Sequence, residues 1–191
     1  MYERTLEAAV ALDVVTFARE RSVSLIAFNG DRILCAKMDE TIASVTTQHE
    51  PMPEVVSLEN FISSSSSSSN KILKLILLGP PPLITSIRPS LATYLGPRAT
   101  LTQAQPDMLE VLPSGGSKGL GVQKLLEALK VDKSNILAIG DQENDLDMLR
   151  MAGTAVAMGN APRHVKAVAG FRTRSNDEDG AARAFERFCL D

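Results

Sequence analysis

The sequence predicts an α/β protein in two parts: an α+β unit over residues 1–113, then alternating strands and helices of a parallel sheet over residues 114–191. Three observations carry this. Beyond Ser117, helical stripes and short buried runs alternate, which is the pattern of a parallel sheet. Before it, Asn29-Gly30 separates two apolar runs, the strongest short-range signal of a β-hairpin. Finally, four apolar residues, Ile136-Leu-Ala-Ile139, run straight into Gly140-Asp141. That places a carboxylate at the carboxyl end of a buried strand, where open α/β sheets bind their ligands.

The elements follow in order. Leu6, Ala9, Val10, Val14, Phe17 and Ala18 recur at helical spacing and predict an amphipathic helix over 4–21. Val23–Phe28 and Ile33–Ala36 are the two hairpin strands. Residues 50–62 read as a less regular helix with Pro51 and Pro53 near its start. Ser63–Ser69, seven serines, cannot bury apolar surface and read as a flexible surface loop within 63–70. Ile72–Leu78 is a buried strand stopped by Pro80-Pro81-Pro82, and 83–95 a helix containing Pro89. Leu109–Leu112 is a short strand closed by Pro113-Ser-Gly-Gly. Ser117 caps a helix whose stripe is Val122, Leu125, Leu126 and Leu129. Ile136–Ile139 is a strand, Asp145–Ala152 a helix stopped by Gly153, and Ala155–Met158 a strand. Pro162 opens a further helix at a first-turn position, and a last helix runs from about Asp179 to Phe188.

Composition narrows the function. With 44% apolar and 23% charged residues, the chain can bury an ordinary core. A net charge of −3 gives no reason to expect nucleic acid or an anionic membrane as partner. Six Phe, two Tyr and no Trp argue against a base-stacking platform. Cys35 and Cys189 share no metal-ligand spacing and read as reduced thiols of an intracellular protein. No apolar run reaches membrane-spanning length; Ile72–Leu78 is interrupted by Lys74. The first seven residues are too acidic and irregular for a leader. A cytoplasmic protein is expected, or one whose front, an organellar leader included, is missing.

The chemistry concentrates in Ile136-Leu-Ala-Ile-Gly-Asp-Gln-Glu-Asn-Asp145 and in Lys118. Asp141 alone would read as a turn residue. Asn144 and Asp145 suit helix capping, a role compatible with function. Together the acids suit Mg²⁺, which accepts one or two carboxylates plus phosphate oxygens and water. Lys118 lies on a helix's first turn, where the positive helix end disfavours a cation unless a phosphate binds there as well. Gly115-Gly-Ser-Lys-Gly is not a P-loop, because Ser precedes Lys. Gly119-Leu-Gly121-Val-Gln-Lys124 lacks the third glycine of a dinucleotide site. His49 and His164 have no partner spacing and read as surface residues.

Four blocks in order, Ser117-Lys-Gly119, Ile136–Leu149, Ala152–Ala161 and Ser175-Asn-Asp-Glu-Asp-Gly180, make residues 114–191 resemble the haloacid dehalogenase superfamily, and within it the Cof-type sugar-phosphate phosphatases. The resemblance implies a Rossmann-like core sheet, with residues 1–113 as a C2-type cap. It implies Mg²⁺-dependent hydrolysis of small phosphomonoesters such as sugar phosphates. Lys118 matches the lysine that pairs with phosphate and nucleophile, and Asp141 the acid that binds Mg²⁺ directly. Asn144 matches a phosphate or substrate contact, and Asp145 an acid that supports the metal. Asp147 has no carried-over role.

The same resemblance exposes a gap. The family's nucleophile is the first Asp of an Asp-x-Asp-Gly-Thr motif ahead of the cap, and residues 1–20 hold nothing like it. Asp177-Glu-Asp179-Gly180-Ala imitates it, but no apolar strand leads in, so it reads as loop and helix capping. Without a carboxylate to form an aspartyl-phosphate, the chain alone is expected to turn over little or no substrate. The family's first strand lies beside Ile136–Ile139. Without it that edge invites self-association, and a poorly stable, pairing or shortened chain is expected. The competing expectation is a non-catalytic remnant that binds a phosphorylated ligand or a partner protein.

Overall fold

The computed structural model describes residues 3–45, 51–64 and 70–190. The chain divides into two compact units, Met1–Gly116 and Ser117–Asp191. The first is built on a six-stranded sheet of order β3-β2-β1-β4-β6-β5. Its strands are β1 (Ser24–Asn29), β2 (Arg32–Cys35), β3 (Glu54–Val55), β4 (Lys74–Leu78), β5 (Ala99–Thr102) and β6 (Met108–Pro113). All pairings are antiparallel except β2 with β3. Alternation sorts the side chains: Leu25, Ala27, Leu75, Leu77, Leu109 and Val111 share one core. Helices α1 (Ala8–Glu20), α3 (Leu58–Ser63) and α4 (Pro81–Leu95) supply the rest of it, through Val10, Val14, Ile62, Ile84 and Leu91. On the opposite face Ile26, Ile33, Cys35, Ile76, Leu78 and Met108 gather with Ile42 of the short α2 (Glu40–Ser44). Burial there pushes the Cys35 thiol above its ordinary range, with the Asp39 carboxylate adding to the shift.

Several sequence expectations shift in this unit. The first helix begins at Ala8 rather than residue 4, because its N-cap Glu7 is extended and the Leu6 N–H donates to the Ile72 carbonyl. The hairpin pairs Asn29 with Arg32, so its turn residues are Gly30 and Asp31, and of the hairpin residues only Gly30 takes a positive φ, +58°. Glycine at the first central position gives the other two-residue hairpin type. The helix expected over 50–62 is not one element among the described residues. Glu54–Val55 pairs along β2, Arg32 grips Glu54 through two hydrogen bonds at 2.9 and 2.6 Å, and Ser57 then caps α3. Ser63 ends α3 and Ser64 caps it; Ser65–Ser69 and His49 lie outside the described residues. Strand β5 went unrecognised in the sequence, since its four residues offer only Ala99 and Leu101 to the core.

The second unit is a parallel sheet of order β7-β8-β9, from β7 (Leu137–Gly140), β8 (Thr154–Ala157) and β9 (Phe171–Arg172). Helix α5 (Lys118–Leu129) is capped by Ser117, whose hydroxyl accepts from the Leu120 N–H at 3.1 Å. The helices α6 (Leu146–Met151), α7 (Arg163–Lys166) and α8 (Gly180–Cys189) follow, with Pro162 as the N-cap of α7. The core is made of small side chains, Ala138, Ala155, Ala157 and Ala161, against Leu149 and Val165. Two corrections apply. The stripe on α5 is only partly buried: Leu126 is covered, but Leu125 and Leu129 are 56% and 61% exposed because no described element of this unit lies over them. Strand β9 was missed, being two residues long and exposed. Among the described residues β7 has a strand on one side only.

These burial patterns separate two leucines. Leu75→Ala, at a fully buried position, should cost about 2–5 kcal/mol in denaturant unfolding. Leu125→Ala should stay within about 0.5 kcal/mol. A core-sized loss at Leu125 would mean that something covers it in solution.

Candidate active site

Parallel strands bring the loops that follow them to one edge of the sheet. Asp141 follows β7, Asn160 follows β8 and Asn176 follows β9, so residues far apart in sequence converge there. At the centre lies Asp145, only 4% exposed. Its Oδ1 accepts from Lys118 Nζ at 2.6 Å. Its Oδ2 accepts from the backbone N–H groups of Asp141 and Gln142 at 3.0 and 3.1 Å. A buried carboxylate without partners would be costly, and these three donors satisfy it. In return the carboxylate fixes the turn that presents Asp141 and anchors Lys118, whose side chain is half exposed.

Two glycines make this possible. A Cβ on Gly140 would lie 2.5 Å from Asp145 Cβ and 2.8 Å from its Cγ, so the carboxylate occupies the space of the missing side chain. A Cβ on Gly119 would lie 2.6 Å from Asp147 Cβ and 2.8 Å from the Asp147 carbonyl carbon. Its absence lets the first turn of α5 press against the start of α6 and brings Lys118 to Asp145.

The remaining residues have distinct surroundings. Asp141 is partly exposed; its Oδ2 accepts from Asn160 Nδ2 at 2.8 Å, and its Oδ1 accepts nothing from the described residues. Asn144 Oδ1 is buried without a hydrogen-bond partner among the described residues, a state that costs roughly 1–3 kcal/mol until a donor arrives. Asp147 is exposed and pairs with Arg150 at 3.2 Å, and His164 is exposed on α7. Asp177–Asp179 form a 3-10 turn and the left-handed N-cap of α8, locked by Ser175 Oγ donating to Glu178 Oε2 at 2.7 Å. Sequence reasoning gave no role to Asn160 or Gly140. The order of parallel strands, which places the loop after β8 beside the loop after β7, was the available signal for Asn160.

Among the described residues no group of three or more His, Cys, Asp or Glu could hold a metal ion. The donor chemistry still fits one hard cation in part. Asp141 offers a free carboxylate oxygen, and Mg²⁺ needs one or two carboxylates when phosphate and water complete its shell. Both oxygens of Asp145 already accept hydrogen bonds in this arrangement.

Residues 1–185 match the family model described as haloacid dehalogenase-like hydrolase. The chain belongs to that family. A protein of Arabidopsis thaliana named chloroplastic endoribonuclease YBEY is 37% identical over 193 residues, covering 100% of this chain and 32% of that protein. The 5-amino-6-(5-phospho-D-ribitylamino)uracil phosphatase YitU of Bacillus subtilis is 42% identical over 81 residues, 42% of this chain and 30% of that protein. A solved haloacid dehalogenase-like hydrolase from Bacteroides thetaiotaomicron superposes with a TM-score of 0.79 at 29% identity, over 98% of this chain and 69% of that one. The match thus spans about a third of the length of either curated relative. No described helix is long and apolar enough to cross a membrane.

The glycine geometry gives a sharp comparison. Gly140→Ala should cost about 1–3 kcal/mol, because the new methyl displaces Asp145. Gly121→Ala, inside α5 where a Cβ meets nothing within 4 Å, should be stabilising by up to about 1 kcal/mol. Equal effects in urea titrations would refute the packing argument.

Proposed function

We propose that the chain carries the lysine and metal-ligand side of a Mg²⁺-dependent phosphomonoesterase site of the Cof type, for a small phosphorylated substrate such as a sugar phosphate. The observation that carries this reading is the Lys118–Asp145–Asp141 constellation at the carboxyl edge of a parallel sheet. Lys118 is anchored on one side and half exposed on the other, so its ammonium can meet a phosphate oxygen as a point charge. Asn144, next to Asp145 in the chain, has an amide oxygen without a hydrogen-bond partner among the described residues, which could accept from a substrate hydroxyl. Asp141 would hold Mg²⁺ through Oδ1; such an ion neutralises phosphoryl charge and polarises the transferring group. In this reading unit Met1–Gly116 is the C2-type cap. An acidic balance and few aromatics favour a small ester over a polynucleotide, so the ribonuclease name of the plant relative is not carried over.

A second reading, ligand binding without turnover, has its own supporting observation. The order Asp-x-Asp-Gly occurs once in the sequence, at Asp177–Gly180, and there it is a capping turn and not a strand end. We infer that the 191 residues bind phosphate but hydrolyse little by themselves. The side of β7 that has no strand among the described residues further supports pairing with a second copy or another strand through that edge.

The test is Mg²⁺-dependent phosphate release from p-nitrophenyl phosphate and a sugar-phosphate panel, alongside calorimetric binding of inorganic phosphate. Release should remain at the buffer rate. Lys118→Ala should weaken phosphate binding about 10- to 100-fold, the worth of a hydrogen bond to a charged group. Phosphate binding indifferent to Lys118, or turnover that survives Asp141→Ala, would refute the assignment.

A further inference from the structure

We propose that Asn160 is a positioning residue for Asp141, held in turn by the Ser175–Gly180 turn. This rests on the reading of Asp141 as the metal ligand and adds the group that aims it. Asn160 spans two loops with one amide. Its Nδ2 donates to Asp141 Oδ2 at 2.8 Å, and its Oδ1 accepts from the Asn176 backbone N–H at 3.1 Å. An amide that donates at one end and accepts at the other is fixed in orientation by both bonds. With Oδ2 held by Asn160, the Asp141 carboxylate is fixed in orientation and its Oδ1, which accepts nothing from the described residues, is the oxygen left open for a ligand.

The support behind Asn160 is itself tied down. The Gly159 N–H donates to the Arg174 carbonyl at 2.8 Å, and Lys166 Nζ donates to the Gly159 carbonyl at 2.6 Å. On the far side, Ser175 and Glu178 close the 3-10 turn, and Thr173 Oγ1 donates to the Gly180 carbonyl at 2.7 Å. The Asn176-Asp-Glu-Asp-Gly180 segment, which imitates a nucleophile motif in sequence, thereby acquires a different task. It supplies the N–H that orients the group behind Asp141. Groups behind a ligating carboxylate set metal affinity without touching the metal.

Two variants test this in the whole chain. Asn160→Ala removes both bonds. Asn176→Pro removes the N–H two links from Asp141, at the first position of a 3-10 turn. Proline is tolerated there, and Ser175 before it is already extended (φ −70°, ψ 169°). The first readout is metal-free: solvent exchange of the Asn160 side-chain amide protons by NMR. Exchange should speed up in Asp141→Ala and in Asn176→Pro. The second is Mn²⁺ binding followed by electron paramagnetic resonance, with Mg²⁺ as competitor. Asn160→Ala should raise the Mg²⁺ dissociation constant about 10-fold, and Asn176→Pro should raise it less, each in protein that still unfolds in one cooperative transition. Unchanged exchange, or unchanged affinity in both variants, overturns the proposal. If exchange responds but the wild type binds no divalent ion, Asn160 holds Asp141 as proposed, and the metal reading fails instead.

Discussion

A carboxylate taken out of water must be given donors, and Asp145 is where this chain meets that demand. One oxygen takes the Lys118 ammonium and the other takes two consecutive backbone N–H groups. The rest of the site follows from those three bonds. The turn after β7 is pinned, so Asp141 projects at a defined place. The first turn of α5 is drawn toward the sheet, so Lys118 stands beside it. Glycine at 140 and 119 is the steric condition for both. Asp145 is thus the support of both the turn at Asp141 and the Lys118 ammonium.

Much of this was legible in the sequence, for physical reasons. A run of four apolar residues ending in Gly-Asp has few other structural solutions, and Ser117 before a periodic stripe is a reliable helix start. Other features depend on tertiary pairing and leave faint local traces. Strand β9 is two residues long, and so is β3, which pairs through its backbone with β2 and carries Glu54 against Arg32 of that strand. The α5 stripe shows the limit of periodicity. It gives the apolar face of a helix but not whether that face is covered, and Leu125 and Leu129 are exposed. The hairpin slipped by one residue, since Asn29 closes the strand pair and Gly30 takes the positive φ.

The site residues divide along the same line. Lys118, Asp141, Asn144 and Asp145 lie in two short segments, and family resemblance singled them out. Asn160 and Asn176 enter only when three parallel strands bring their loops together. The family assignment rests on residues 1–185, while the matched part of the curated relatives is about a third of their length.

The most direct measurement is a double-mutant cycle in chemical denaturation with Lys118→Ala, Asp145→Asn and the double variant. If Asp145 holds the site together through Lys118, the cycle should show a coupling of about 1 kcal/mol or more, within the range for residues in one hydrogen-bond network. Effects that add to within about 0.3 kcal/mol would mean that the two side chains act independently, and would contradict the account.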